Sequence, residues 1–217
     1  MDFNSFIQSL KNVLQNNPLP GQDAQYIMAA ENIRNKKIDL DSLKEYKKSA
    51  VCLLLYEKNK EPYFVLIKRP DTHRHHAGQI ALPGGSCEPT ESYEQTALRE
   101  LYEETGISIT EKNILGNLTP LYIPVSNFYI QPVVAYLENE PNFKSDPIEV
   151  VHLIEQSFFE ITNGDIVSET MVNLTRGMKI KAPYFNIQGE VLWGATAMLL
   201  SEMKEIVKQP IFSSLSR

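Results

Sequence analysis

Residues 85–107 read GSCEPTESYEQTALRELYEETGI, and this stretch predicts a helix with three carboxylates near its end. Glu100, Glu103 and Glu104 are spaced i, i+3 and i+4, which places them on one helical face. Like charges at this spacing repel by roughly 0.2–0.5 kcal/mol per pair, and the negative helix end costs each anion about 0.3–1 kcal/mol more. We therefore expect a cation on this face, and a divalent metal ion held together with substrate phosphates suits it.

The boundaries of this helix are predicted by its capping residues. Ser92 and Gln95 have the spacing of an N-terminal capping box, and Gly106 fits the C-terminal cap. The residues expected on the buried side are Ala97, Leu98 and Leu101. The residues before the helix, 69–84, are predicted to form a long loop.

The composition predicts a soluble, cytoplasmic, globular protein. The chain has 217 residues, 42% of them hydrophobic and 22% charged, which suits one large domain. The net charge of −6 argues against nonspecific nucleic-acid binding. Neither a signal peptide nor an apolar run of about 18 residues is found, so no membrane partner is expected. Cys52 and Cys87 form no C-x-x-C pair, and neither a disulfide framework nor a structural zinc site is indicated.

Residues 1–45 are predicted to be a helical extension packed on a domain that spans 46–217. A first amphipathic helix over residues 1–17 carries an apolar stripe of Phe3, Phe6, Ile7, Leu10, Val13 and Leu14. A weaker helix is expected from Asp23 to Asn35. The extension is interpreted as an element for packing or for homodimer formation; direct substrate contact is the alternative.

Short apolar runs after Ser49 predict strands. Their expected ranges are 50–56, 63–68, 115–123, 128–137, 171–182, 184–187 and 191–193, with 148–162 ambiguous between strand and helix. The last of these strands follows a tight turn at Gln188 and Gly189, and a final helix is expected over 195–207. Strands mixed with flanking helices predict a layered α/β arrangement.

The 85–107 stretch resembles the Nudix box at every fixed position. The matching identities are Gly85, Glu91, Arg99, Glu100, Glu103, Glu104 and Gly106, and the aliphatic positions are Leu101 and Ile107. The resemblance implies the Nudix fold, an α/β/α sandwich around a mixed β-sheet. It also implies hydrolysis, dependent on Mg²⁺ or Mn²⁺, of a nucleoside diphosphate linked to another group.

The resemblance also suggests roles for these residues. Glu100, Glu103 and Glu104 are expected to hold the metal, and the Gly85 carbonyl is expected to join them. Arg99 is expected to orient a carboxylate in support of catalysis, and Glu91 to tie the loop to the helix. The alternative reading of the three carboxylates is a solvated acidic helix face.

The segment before the box resembles the signature of the coenzyme A pyrophosphatase branch of this family. The matching positions are Arg69, Arg74, His76, Gly78, Gln79, Pro83, Gly84 and Gly85. Pro70 stands where a small hydroxyl residue is common, and Leu82 where Phe is common. Leu19-Pro20-Gly21, Met28 and residues 193–197 also resemble this branch.

Arg69, Arg74, His76 and Gln79 are therefore the expected substrate-binding residues. The two arginines can grip phosphate oxygens in a bidentate manner, although each can also form a structural ion pair. His73, His75 and His76 raise zinc as an alternative, which the loop setting without a cysteine disfavours.

The predicted reaction cleaves coenzyme A or acyl-coenzyme A into 3′,5′-ADP and 4′-phosphopantetheine or its acyl derivative. ADP-ribose or another nucleoside-diphosphate conjugate is the alternative substrate. A catalytically silent nucleotide-binding module and a decapping enzyme are lesser alternatives. The general base is open between Glu100, Glu103, Glu149 and Glu155.

Overall fold

The computed structural model describes residues 2–34, 36, 38–70, 78–163, 167–173 and 179–215, and every statement below concerns these residues. The helices are α1 (Phe3–Asn16), α2 (Gly21–Gln25), α3 (Tyr93–Thr105), α4 (Phe158–Asn163) and α5 (Gly194–Val207). The strands are β1 (Lys47–Lys58), β2 (Glu61–Lys68), β3 (Ile80–Ala81), β4 (Gly84–Ser86), β5 (Ile114–Asn117), β6 (Leu121–Ile123), β7 (Phe128–Leu137), β8 (His152–Ser157), β9 (Val167–Asn173), β10 (Lys179–Ile187) and β11 (Glu190–Leu192).

Strand β1 lies at the centre of a mixed sheet. It pairs in parallel with β7 and antiparallel with β2 and β4, while β3 and β8 pair with β2, and β5 and β6 with β7. Its residues 52–56 are fully buried, as expected for an apolar run covered on both faces. A smaller antiparallel sheet contains β9, β10 and β11.

Helices cover both faces of the mixed sheet, which confirms the predicted α/β/α sandwich. On one face, Ala97 and Leu101 of α3 pack against Cys52 and Leu54. On the other face, α1 and α5 share a second core with the alternate side chains of β1 and β2. The two clusters follow the period of two along β1, because successive strand residues point to opposite faces.

The capping prediction for α3 is confirmed. The Ser92 hydroxyl accepts from the Gln95 backbone N–H at 3.1 Å, and the Gln95 side chain accepts from the Ser92 N–H at 3.0 Å. Gly106 ends the helix with φ +73°. A Cβ there would lie 2.7 Å from the Lys144 carbonyl oxygen, so glycine is required for space as well as for conformation.

The predicted helix from Asp23 to Asn35 is wrong. The helix α2 ends at Gln25, and a 3₁₀ turn, Tyr26–Met28, follows. Ala29 is extended (φ −72°, ψ 140°), and the Glu31 N–H bonds to the Lys181 carbonyl of β10 rather than to a helical partner. Tertiary hydrogen bonding therefore overrides the local helical pattern.

Three further segments differ from the prediction. The expected strand 171–182 instead includes the end of β9 and the start of β10, which pair antiparallel, and β10 continues through the expected strand 184–187. The expected strand 115–123 is broken into β5 and β6 around Leu118, whose N–H bonds to the Pro132 carbonyl. The expected loop 69–84 contains β3, which pairs with the end of β2. The ambiguous segment 148–162 contains both β8 and α4, and the tight turn at Gln188 and Gly189 is confirmed by φ values of 52° and 91°.

The N-terminal segment is joined to the rest of the fold. All six apolar residues predicted along α1 are buried, and Phe6 lies 5.6 Å and 5.9 Å, between ring centroids, from Phe158 and Phe212. The domain boundary at residue 45 stays a prediction. No helix in the described ranges is long and apolar enough to cross a membrane.

Candidate active site

The second half of α3 faces the short strand β4, and this contact brings the predicted site residues together. Strand β4 pairs with the first half of β1, with Gly85 opposite Ala50 and Gly84 opposite Val51. A Cβ on Gly84 would lie 2.4 Å from the Ala50 carbonyl oxygen, so only glycine allows this close approach. The sheet thereby holds the Gly84–Gly85 backbone against the carboxylates of α3.

Glu104 is the most deeply placed of the three carboxylates. Its side chain is 2% exposed, one oxygen accepts from the Gly84 N–H at 2.8 Å, and the other lies 3.1 Å from Arg69 Nη2. Burial raises the pKa of Glu104 to about 7, although Arg69 and the Gly84 N–H act in the opposite direction. A cation bound beside this carboxylate would favour its ionised form and so lower its pKa.

Arg99 lies behind the cluster and contacts three carboxylates. Its Nε lies 2.7 Å from Glu91, and its Nη1 lies 2.8 Å from both Glu100 and Glu103. Its Nη2 also donates to the Ser86 carbonyl oxygen at 3.1 Å. Arg99 holds the pKa of Glu91 down at about 2, so Glu91 is an anion that fixes the guanidinium.

Glu91 also ties the loop to the helix by its own contacts. Its Oε2 accepts from the Glu88 N–H at 3.0 Å and from the Thr96 hydroxyl at 2.8 Å. Together with Arg99, these bonds fix the start of α3 relative to its second half. Because Arg99 also donates to Glu100, these contacts limit the positions that the Glu100 side chain can take.

Gly85 leaves the space that Glu100 fills. A Cβ at position 85 would lie 2.2 Å from Glu100 Oε1, closer than any real contact. The Glu100 side chain is 14% exposed, and its burial raises its pKa while Arg99 lowers it. The outermost carboxylate, Glu103, is 45% exposed.

These carboxylates fit a hard divalent ion by chemistry, but they do not converge on one point. Carboxylate and carbonyl oxygens are the ligands that Mg²⁺ and Mn²⁺ prefer. In the described part of the chain, however, no group of three or more His, Cys, Asp or Glu side chains is arranged to hold a metal ion. Within the chain, Arg99 and Arg69 supply positive charge beside these carboxylates: Arg99 contacts Glu100 and Glu103, and Arg69 contacts Glu104. The expectation of a metal ion on this helical face stays a prediction.

Arg69 and Gln79 lie on either side of the segment that separates β2 from β3. The Arg69 N–H donates to the Gln79 carbonyl oxygen at 3.0 Å, and Arg69 Nη2 donates to the Gly84 carbonyl oxygen at 2.7 Å. Arg69 therefore reaches the carboxylate cluster. Arg74 and His76, with the alternative zinc ligands His73 and His75, lie outside the described residues.

Two acidic residues considered as the general base lie in different places. The charge of Glu149 raises the pKa of Glu104, so Glu149 lies on the Glu104 side of the molecule. Its loop is held by a 2.9 Å bond from the Val151 N–H to the Lys68 carbonyl oxygen, next to Arg69. Glu155 instead accepts from Tyr56 and Lys58 at 2.8 and 2.9 Å.

Sequence reasoning missed an ion pair beside the cluster. Lys68 precedes Arg69 and pairs with Glu190 of β11, which links the small sheet to the end of β2. No local pattern marks this pair, because Glu190 follows a turn 122 residues later in the chain. The contact depends on how the two sheets are arranged.

Comparison with known proteins gives the family. Residues 46–161, more than half of the chain, match the NUDIX domain. The chain belongs to the Nudix family. This membership and the hydrolase names of its relatives make it a pyrophosphatase-type hydrolase.

Similar proteins include two bacterial chains called "Uncharacterized Nudix hydrolase NudL". The one from Photorhabdus laumondii is 30% identical over 168 residues, 76% of this chain and 88% of that protein. The one from Yersinia enterocolitica is 32% identical over 149 residues, 68% of this chain and 75% of that protein.

Solved structures support the fold. A MutT protein from Methanosarcina mazei aligns over 77% of this chain and 99% of its own length, with TM-score 0.51 and 23% identity. A MutT/nudix family protein from Enterococcus faecalis covers 94% of this chain and 77% of its own length, with TM-score 0.53 and 16% identity.

Proposed function

We propose that this Nudix hydrolase cleaves the diphosphate of coenzyme A or acyl-coenzyme A. The products are 3′,5′-ADP and 4′-phosphopantetheine or its acyl derivative. The observation that carries the chemistry is the buried Glu104 carboxylate beside Gly84, with Glu100 filling the space above Gly85. The resemblance of residues 69–85 to the coenzyme A pyrophosphatase signature supports the choice of substrate.

Glu100, Glu103 and Glu104, with the Gly85 carbonyl, would hold Mg²⁺ or Mn²⁺. The bound ion would polarise the phosphoryl group and lower the pKa of its water. Within the chain, the Gly84 N–H donates to Glu104 and so orients this carboxylate independently of its contact with Arg69. Arg99 Nη1 lies between the Glu100 and Glu103 carboxylates and donates to both. Because the Glu103 side chain is exposed, it has the freedom to turn toward Glu100.

Arg69, Arg74, His76 and Gln79 are proposed to bind the substrate. Arg69 supports this role, since its guanidinium already lies at the carboxylate cluster and a guanidinium can exchange a carboxylate for a phosphate oxygen. We retain Glu100, Glu103 and Glu149 as general-base candidates. Glu155 is set aside because its carboxylate is held by Tyr56 and Lys58.

The substrate is tested by incubating the protein with Mg²⁺ and either coenzyme A or ADP-ribose and identifying the products by mass spectrometry. We expect 3′,5′-ADP and 4′-phosphopantetheine from coenzyme A, with a kcat/KM at least tenfold above that for ADP-ribose. Cleavage of ADP-ribose alone would contradict the substrate and leave the class of reaction intact. Binding of both without turnover would favour the silent nucleotide-binding module.

Assembly and location stay predictions from the sequence. Light scattering on the purified chain tests the homodimer, for which a mass of twice 24.7 kDa is expected. Imaging of the tagged protein in cells tests the cytoplasmic location. Neither result alters the assignment of the carboxylates.

A further inference from the structure

Three tyrosines form a continuous row of rings beside the candidate active site. The Tyr46 and Tyr129 rings stack with centroids 4.8 Å apart and planes 25° apart, and Tyr93 lies 6.0 Å from Tyr129. All three tyrosines are half-buried residues. We call Tyr46, Tyr93 and Tyr129 the tyrosine row.

Lys48 adds a positive charge to the same face. In the parallel pairing of β1 with β7, Lys48 lies opposite Tyr129, so both side chains point to the face that α3 covers. Its Nζ lies 5.9 Å from the centroid of the Tyr93 ring. Lys47 points to the other face, where its Nζ lies 5.4 Å from the Phe128 ring, so it does not belong to this surface.

A short stretch of backbone connects the tyrosine row to the carboxylate cluster. Gly85 lies against Glu100, the Ser86 carbonyl oxygen accepts from Arg99, and the Cys87 N–H donates to the Lys48 carbonyl oxygen at 2.9 Å. Two to three extended residues span about 7–10 Å. A group one ribose away from a diphosphate held at Glu100 can therefore reach the row.

We propose that the tyrosine row and Lys48 form the subsite for a purine nucleotide that carries a 3′-phosphate. Aromatic side chains hold bases by stacking, because every base presents a π-face. Lys48 matches the 3′-phosphate in charge, on a chain whose net charge is −6. This proposal rests on the proposed function. The subsite would bind the 3′,5′-ADP half of coenzyme A on this side of the carboxylate cluster.

The subsite is tested with product fragments and no metal ion, so that binding is separated from turnover. Calorimetry compares AMP with ribose 5-phosphate, which lacks the base, on wild type, Tyr129→Leu and Tyr129→Phe. We expect Tyr129→Leu to weaken AMP binding about 5- to 150-fold and to leave the affinity for ribose 5-phosphate unchanged. Tyr129→Phe, which keeps an aromatic ring, is expected to bind AMP like wild type. Tyr184→Leu, in the small sheet, is the matched control, and thermal melting verifies folding.

Lys48→Gln tests the phosphate contact, with Lys60→Gln at the β1–β2 turn as its control. We expect Lys48→Gln to lower the affinity for 3′,5′-ADP to that for AMP without changing AMP binding. Three results would overturn the subsite. Tyr129→Leu could bind AMP as tightly as wild type does, or it could lose affinity for AMP and for ribose 5-phosphate to the same extent. The third is that wild type binds AMP no more tightly than ribose 5-phosphate. If these binding results hold and coenzyme A is not cleaved, the proposed substrate fails and the purine subsite stands.

Discussion

Glu100, Glu103 and Glu104 share a helical face by spacing, yet their environments differ. Glu104 is 2% exposed and bonded to the Gly84 N–H, whereas Glu103 is 45% exposed. The sequence predicted the residue types and their common face. It could not predict that Arg69 pairs with Glu104, because the two residues lie 35 positions apart and no local pattern joins them.

Gly85→Ala tests whether the space above Gly85 matters for metal binding. The new Cβ would lie 2.2 Å from Glu100 Oε1, and the flexible carboxylate would have to move. We expect activity and Mn²⁺ affinity to fall at least tenfold, while the free energy of unfolding changes by roughly 1 kcal/mol or less. Steady-state kinetics and urea unfolding measure the two effects.

Gly84→Ala provides the contrast for this prediction. Its Cβ would meet the Ala50 backbone carbonyl oxygen at 2.4 Å, which cannot move without breaking the β1–β4 pairing. We expect a stability loss larger than that of Gly85→Ala. Equal stability losses, or full activity in Gly85→Ala, would show that the space above Gly85 has no special role.

Helix α3 was predictable as an element because both its ends are encoded locally. The capping box at Ser92 and the left-handed cap at Gly106 need only neighbouring residues. The failed helix over 23–35 shows the limit of such reasoning, since the bond from Glu31 to Lys181 joins segments 150 residues apart. Local rules cannot anticipate such a partner.

Ser92→Ala should weaken α3 without altering the chemistry. Loss of the side-chain bond to the Gln95 N–H is expected to cost about 1 kcal/mol of unfolding free energy. Urea unfolding measures this loss, and Ser145→Ala, in the exposed loop after β7, is the control. A stability equal to that of the control would contradict the assignment of Ser92 as the cap.

A buried carboxylate connects the N-terminal segment to the last helix. Glu202 of α5 is fully buried and accepts from the Gly21 N–H at 3.1 Å, the Gln25 amide at 2.9 Å and the Thr119 hydroxyl at 2.6 Å. No sequence motif marks this node. It forms only when three distant segments meet.

Glu202 should make stability depend on pH. Burial raises its pKa, and the bonds from Thr119 and Gln25 only partly offset this, so the folded state favours the protonated form. Its contribution to stability is complete below the ordinary carboxylate pKa and is lost as pH rises through the raised value. Relative to Glu202→Gln, wild type should lose unfolding free energy as the pH rises from 4 to 8, as measured by urea unfolding. The expected slope is about 1.4 kcal/mol per pH unit wherever the carboxylate is ionised in the unfolded state and protonated in the folded state. Parallel pH profiles would contradict this role.

Phe6→Ala tests whether the N-terminal helix belongs to the main core. The ring is fully buried between Phe158 and Phe212. We expect a loss of about 3–5 kcal/mol in unfolding free energy, against less than about 0.5 kcal/mol for Ile27→Ala, which is 54% exposed. A similar small loss in both would indicate an extension that is only loosely attached.

We propose that the carboxylates of α3 hold the metal ion on which hydrolysis depends. The most direct test measures Mn²⁺ binding by electron paramagnetic resonance and coenzyme A turnover on the same samples of wild type and Glu104→Gln. Glu202→Gln, which also removes a buried carboxylate, is the control. We predict that, in both wild type and Glu202→Gln, Mn²⁺ binding and coenzyme A turnover saturate over the same range of Mn²⁺ concentration. Glu104→Gln should still fold, but its Mn²⁺ affinity and its turnover rate should each fall at least 100-fold. Turnover of coenzyme A in excess EDTA, or an unchanged rate in Glu104→Gln, would contradict the claim.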